Sequence, residues 1–388
     1  MRRYYELDSL RGLAACSVIL WHCFLMLNLG GLTSIIEYGP SRVLMAGNEA
    51  VILFFLLSGL VLALPFLNGL EITKRNYGYF VIKRITRIYL PYVVAISISI
   101  ICYYVFYTQP NGNVSEWGNN LWKKSVPTQD IIQHFLFFGN YNHDFNVVIW
   151  SLIHELRISI IFPIVIIAIL KLNWKINVSL GMFFYLVSGI LYYAFGDAYL
   201  DYIKTIFYLN IFIFGALLAK HKELLIGYVS GLSAFKKILL IFVGFFLYLY
   251  MKPSFLINAF LPLSDFYRQI IDTIFVTIGA FIITIAALSM SRISNVLLRR
   301  PIKFLGEISY SLYLYHLAVM LTFLQIFNGV LNVGVILFLS VVVTLIIATA
   351  SYYFVEIPCM KLGKRIVSFL GKFESEFKKV DVKKELKS

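Results

Sequence analysis

Charged side chains are scarce in this 388-residue sequence: Asp, Glu, Lys and Arg together make up 14% of it, where an ordinary soluble domain carries about 25%. So little charge leaves too few side chains to give a globule a hydrated surface, and a soluble domain is excluded. Cysteine is rare as well. Of four, Cys16, Cys23 and Cys102 lie within apolar runs and Cys359 just beyond the last. That placement excludes a disulfide framework and a cysteine-rich metal site, and leaves core thiols. No internal repeat is evident, so the inverted-repeat signature of many secondary transporters is missing. Acidic residues are the scarcer charge, 20 against 34 basic, for a formal net charge of +14. In a soluble protein that excess would suggest nucleic acid, but here the basic residues gather in short connections between apolar runs. That is the pattern of membrane topology, and no nucleic-acid partner is expected.

What the sequence has in abundance is apolar and aromatic residues, at 60% and 17%, with a mean hydropathy of +0.81. Ten runs are long enough to cross about 30 Å of hydrocarbon: 8–29, 46–67, 88–108, 146–171, 176–196, 202–220, 236–252, 268–290, 304–327 and 331–356. The expected fold is therefore all-α, a polytopic bundle of about ten transmembrane helices in the lipid bilayer. The first run contains Asp8, Arg11 and His22 and no small-residue cleavage site, so it is read as a permanent span. With the N-terminus in the cytoplasm, 26 Lys and Arg fall on the inner side and six on the outer, so both termini are expected to be cytoplasmic. Residues 1–360 form one transmembrane domain in this reading. The charged tail 361–388 is expected to be an interfacial amphipathic helix with a solvated end. The longest outer connection, 109–145, carries Trp117, Trp122, Asn140, His143 and Asp144, and is expected to dip into the interface and line an acceptor entrance.

An ionisable side chain at membrane depth is costly unless paired or wetted, so the exceptions to apolarity are the first candidates for function. In the first span, Arg11 and His22 are eleven residues apart, which places them within roughly 20° of one face and about 16 Å apart along the axis. Asp8, one turn before Arg11, is close enough to pair with it. In "KRITRIYLP", Arg84 and Arg87 are one helical turn apart and, with Lys83, suit the gripping of phosphate oxygens as well as positive-inside anchoring. "WSLIHELRISIIFP" puts His154, Glu155 and Arg157 in an apolar segment. "LGEISYSLYLYH" sets Ser309, Tyr313 and His316 at i, i+4 and i+7, a polar stripe on one helix face. Tyr310, Tyr313 and Tyr315 also suit bundle packing. Pro91, Pro163 and Pro358 are expected to kink or end helices.

These pieces, "LDSLRGLAA" with its Arg-x10-His spacing, "FFLLSGLVL", "KRITRIYLP", "WSLIHE", "LGEISYSLYLYH" and "YYFVEIP", occur in family order from about residue 5 to 360. Together they resemble the acyltransferase-3 family of integral-membrane O-acyltransferases. The resemblance implies transfer of an acyl group, usually acetyl from acetyl-CoA, to hydroxyls of cell-surface carbohydrates such as O-antigen or exopolysaccharide, in a bacterial inner membrane. It carries the essential Arg-x10-His pair onto Arg11 and His22, the cytoplasmic Arg-x-x-Arg onto Arg84 and Arg87, and the acidic position after Trp-Ser-Leu onto Glu155. It implies no permanently bound cofactor and no metal. Where family members often read a second acidic or aromatic residue after that Glu, this chain has Leu156 and Arg157, and the hydrolase-like module of some two-domain members is not expected.

On this reading acetyl-CoA docks from the cytoplasm with its phosphates near Arg84, Arg87 and Lys83, and its pantetheine arm runs towards His22. The imidazole acts as general base on the acceptor hydroxyl or forms a transient acyl-imidazole. Glu155 orients the ring, and Arg11 holds a phosphate or positions the span. The competing classes are a secondary transporter or lipid-linked glycan flippase, and a structural organiser of glycan assembly indifferent to loss of His22.

Overall fold

A computed structural model describes residues 4–108, 112–122, 126–136 and 145–385. Among them the chain is helical, and the one extended contact is an isolated antiparallel bridge between Leu27 and Val114. The principal helices are α1 (Tyr5–Met26), α2 (Gly47–Leu67), α3 (Lys74–Phe106), α4 (Glu116–Asn119), α5 (Trp150–Lys171), α6 (Trp174–Phe195) and α7 (Leu200–Ser230). They continue as α8 (Ala234–Leu249), α9 (Pro253–Phe260), α10 (Asp265–Ser289), α11 (Arg300–Glu307), α12 (Ser309–Ile326), α13 (Val333–Ser351) and α14 (Ile357–Glu385). Each of the ten apolar runs coincides with one of these helices or a consecutive pair, so the all-α polytopic expectation holds.

By length and composition, seven helical stretches among the described residues can cross a membrane, or nine if the bent pairs α8–α9 and α11–α12 each count as one. The difference from ten runs lies in Trp174–Ser230, a single stretch by that measure. A short 3-10 turn at Gly196–Tyr199 divides it. Beyond that turn α7 doubles back along α6, since Gly181 faces Phe214 and the Tyr185 ring meets the Phe207 ring.

Local chemistry accounts for many of the helix ends. Side chains of Thr73, Asn173, Ser233, Ser264 and Asn332 accept hydrogen bonds from backbone amides in the first turns of α3, α6, α8, α10 and α13, satisfying donors that the helix itself leaves open. Pro91 and Pro163 lie inside α3 and α5, and Pro358 in the first turn of α14. None of the three ends its helix, and Pro358 lies in a first turn, where proline fits without loss of a helix hydrogen bond.

The core is centred on α2, the most enclosed of the spans. It crosses α7 at near backbone contact: a Cβ on Gly59 would strike the Phe212 backbone, and one on Gly215 the Leu56 carbonyl. A second such crossing joins α1 to α11, where Gly12 lies on the Gly306 amide and Gly306 on the Asp8 carbonyl. Small residues permit this approach, and dispersion contacts between the backbones are what it gains. The crossing also shapes α11. Run 304–327 is not one straight span: α11 and α12 meet at an angle of 71°, with Ser309 Oγ donating to the Gly306 carbonyl at 2.9 Å across the corner.

At the C-terminus, the boundary expected at 360 falls inside α14, which continues α13 through a π-helical turn at Tyr352–Glu356. Far from lying apart, α14 runs against α3: Gly363 packs on Thr86, and Gly371 lies beside Arg75 and Tyr79. At the opposite end of α1, residues 112–122 fold over the helix terminus, with Ser115 N donating to the Met26 carbonyl at 3.0 Å. The helix Thr128–Phe135 is drawn inward, Tyr89 Oη donating to the Phe135 carbonyl at 2.8 Å and Tyr92 Oη to that of His134 at 2.5 Å. Those tyrosines are midway along the 33-residue α3, so this connection dips well into the bundle. Asn140, His143 and Asp144 lie outside the described residues.

Candidate functional site

Where α1, α2, α3, α5, α11 and α12 converge they enclose a cavity of about 460 Å³. Its one end reaches the surface beside Arg87 and Lys364, both exposed. Its other end is closed by buried Phe55, Ser151 and Tyr313. Arg11 from α1 and Arg84 and Arg87 from α3 all line it. One turn of separation puts Arg84 and Arg87 on a shared helix face, and Arg11, six residues after the start of α1, lines the same cavity. Among the described residues no carboxylate lies within 4 Å of any of these three guanidinium groups. Guanidinium groups gathered in a partly enclosed cavity without a direct carboxylate contact can grip an anion with several oxygens.

Four carboxylates share the cavity: Asp8, Glu155, Glu307 and Glu356. Glu155 Oε1 accepts from Ser58 Oγ at 2.8 Å, and buried Glu356 Oε2 accepts from Ser311 Oγ at 3.1 Å. Glu356 ends the π-helical turn, a widening of the helix that is often found at functional sites.

Several sequence expectations change here. Lys83 is exposed and outside the cavity; the cavity takes in 84, 87 and 88, an arc of about 100° on α3, and Lys83 stands beyond its edge. His154 is adjacent to Glu155 in sequence but faces away. Its Nδ1 is 2.9 Å from Thr205 Oγ1, and its ring packs on Trp150 and Tyr208, so it ties α5 to α7. Glu155 does not orient His22, since its partner is Ser58 and the imidazole has another. Ser58, Ser151, Glu307 and Glu356 are additions of the structure; all four stand in quoted motifs, Ser58 in "FFLLSGLVL", Ser151 in "WSLIHE", Glu307 in "LGEISYSLYLYH" and Glu356 in "YYFVEIP", but a serine or a glutamate near a span end is not singled out by depth as Arg11 or His22 is.

His22 lies beyond the closed end of the cavity. It is four residues from the end of α1, not at mid-depth. Its Nδ1 is 3.0 Å from Nε2 of His316 on α12, and His316 Nδ1 is 3.1 Å from the Leu312 carbonyl. Both rings are buried. The Trp117 indole of α4, held by the clamp on the end of α1, stacks on the His22 ring with centroids 5.5 Å apart and planes at 16°. Between cavity and imidazoles stands Tyr313, its ring 6.0 Å from that of His316 and its hydroxyl donating to the Val148 carbonyl at 2.9 Å and lying 2.7 Å from Ser151 Oγ. Ser309 and Tyr313 thus line the cavity and His316 lies behind them, on the stripe that the spacing anticipates.

The structure thus places a cavity lined by arginines and carboxylates on one side of Tyr313 and a buried imidazole pair on the other. The sequence profile described as an acyltransferase domain, that of the acyltransferase-3 family, matches residues 4–353. The chain belongs to the acyltransferase-3 family. The matched profile is that of an acyltransferase domain, and it covers the membrane-spanning helices described above. The chain is also similar to the O-acetyltransferase OatA of Staphylococcus aureus (strain MRSA252), at 34% identity over 98 residues, 25% of this chain and 16% of that protein's length. No solved structure matches the chain.

Proposed function

We propose that this acyltransferase moves an acetyl group from acetyl-CoA to a hydroxyl of a surface or lipid-linked carbohydrate. The observation that carries the reading is the cavity itself, lined by three arginines that meet no carboxylate within 4 Å among the described residues, with a buried histidine pair on the far side of the Tyr313 ring. The CoA phosphates bind Arg11, Arg84 and Arg87, with Lys364 at the mouth, and the pantetheine arm extends towards Tyr313. Arg11 and His22 are about 16 Å apart along α1, so the donor site and the reacting imidazole are joined by one rigid element. Glu155, held by Ser58, offsets the charge of the arginines.

In the transfer the thioester C–S bond breaks and an ester C–O bond forms. His22 takes the hydroxyl proton and returns it to the departing thiolate, so the imidazole ends the cycle as it began. The acceptor approaches past the segment 112–122, beside Trp117. An indole next to the base suits a sugar, whose C–H faces pack on aromatic rings while its hydroxyls stay at the edge. The excess of Lys and Arg on the side of Arg84, Arg87 and α14 supports a cytoplasmic face there, with both termini, and the inner membrane of a bacterium as the setting.

The reading is tested by the O-acetyl content of surface glycan, measured by mass spectrometry before and after mild alkali, in cells lacking the gene and complemented with wild type or His22→Gln. A base-labile acetyl increment should return with wild type alone. Glycan unchanged in all strains, with the protein present in the membrane, rules out this acceptor; restoration by His22→Gln rules out the histidine.

A further inference from the structure

The hydrogen bonds around the imidazole pair fix which nitrogen carries each proton. A carbonyl oxygen only accepts, so the 3.1 Å contact with the Leu312 carbonyl puts the proton of His316 on Nδ1. A neutral ring with its proton there has a lone pair on Nε2, and that is the atom 3.0 Å from His22 Nδ1. His22 therefore donates from Nδ1, and its own lone pair is on Nε2. The alternative, a doubly protonated His316 donating to His22, would hold a full charge where the described residues supply no carboxylate within 4 Å of either ring, a costly state at membrane depth.

We infer that His316 is a positioning residue for the transfer: it sets the tautomer of His22 and makes Nε2 the reacting nitrogen. The inference rests on the reading of His22 as the base. Two contacts in different directions hold the ring, the Nδ1–H bond at its edge and the Trp117 indole against its face. The geometry also gives the proton a closed path. The acceptor's proton goes to His22 Nε2 and from there to the CoA thiolate, while the Nδ1–H bond to His316 stays intact; His316 neither gains nor loses a proton over the cycle. With both of its nitrogens engaged, His316 has no lone pair left for substrate, which separates its role from that of its partner.

The experiment uses full-length protein reconstituted in lipid, [14C]acetyl-CoA as donor, and de-O-acetylated envelope membranes of the host as acceptor, with His316→Leu, His316→Gln and His22→Gln compared. His316→Leu removes the acceptor of the Nδ1–H bond. It should lower kcat by about 100-fold or more while the KM for acetyl-CoA stays within about twofold, the range expected when a general base is lost or misdirected. His316→Gln offers an amide oxygen in its place and should recover activity to within about tenfold of wild type. His22→Gln should be inactive. Wild-type kcat in folded His316→Leu overturns the inference. If His316→Leu does not fold, the comparison of the two glutamine variants decides: equal loss in both, or activity in His22→Gln with loss in His316→Gln, overturns it. Wild-type protein that transfers no acetyl group removes the underlying reading instead, and with it this assignment.

Discussion

Arg84 and Arg87 differ from Lys83 by what each side chain meets, although the three are within five residues of one another. The two arginines face the cavity and, among the described residues, have no carboxylate within 4 Å, whereas the lysine faces outward. Charge reversal of both, Arg84→Glu with Arg87→Glu, is therefore expected to raise the KM for acetyl-CoA at least about tenfold, the loss of one or two charge-assisted contacts to phosphate. Lys83→Ala should leave it unchanged, and initial-rate kinetics on purified protein measures both. At this scale the sequence is informative wherever a charge is out of place. Arg11, His22, Arg84, Arg87 and Glu155 stand out because membrane depth penalises them, and four of these five line one cavity. Partners are another matter. Ser58 and Ser151 are unremarkable in composition, and whether Glu155 meets Ser58 or an imidazole depends on how α2 and α5 are rotated, which helical spacing within one segment does not determine.

Among the helices, the corner between α11 and α12 does the most to build the site. It lets Gly306 and Glu307 pack against the start of α1 while Ser309, Tyr313 and His316 run on into the bundle. Run 304–327 carries Gly306 and Glu307 just before the break at Ile308, yet its overall hydropathy reads as one straight span; the bend goes with the close contact of Gly306 and Asp8. A side chain at 306 should therefore be felt. Gly306→Val places atoms on the Asp8 carbonyl, and is expected to lower the melting temperature in detergent by about 5 °C or more. Gly227→Ala, on a helix face with open space around it, should be neutral or slightly stabilising, since alanine favours the helix. The inward helix Thr128–Phe135 was legible only as an interfacial tendency of a long connection, because its depth is set by two tyrosines of α3.

For the molecule as a whole, the hydropathy runs locate the apolar helices in order along the chain, and the sign of loop charges gives an expected orientation. Both are properties that a bilayer reads directly from the chain. The doubling back of α7 on α6 and the merging of the tail into a helix along α3 depend on packing, and emerge only in three dimensions. The result is a bundle with two unlike ends: a basic mouth at Arg87 and Lys364, and an aromatic cover at Trp117 over His22. Such an arrangement suits a donor from one side of the membrane and an acceptor on the other. The most direct measurement is acetyl transfer in sealed membrane vesicles of known orientation, with [14C]acetyl-CoA added only outside. Inverted vesicles, which present the face of Arg84 and Arg87 to the donor, are expected to label their glycan in a manner that His22→Gln abolishes, while right-side-out vesicles remain unlabelled. Equal labelling in both orientations, or labelling that survives His22→Gln, would contradict a cytoplasmic donor site coupled through His22 to an acceptor on the opposite face.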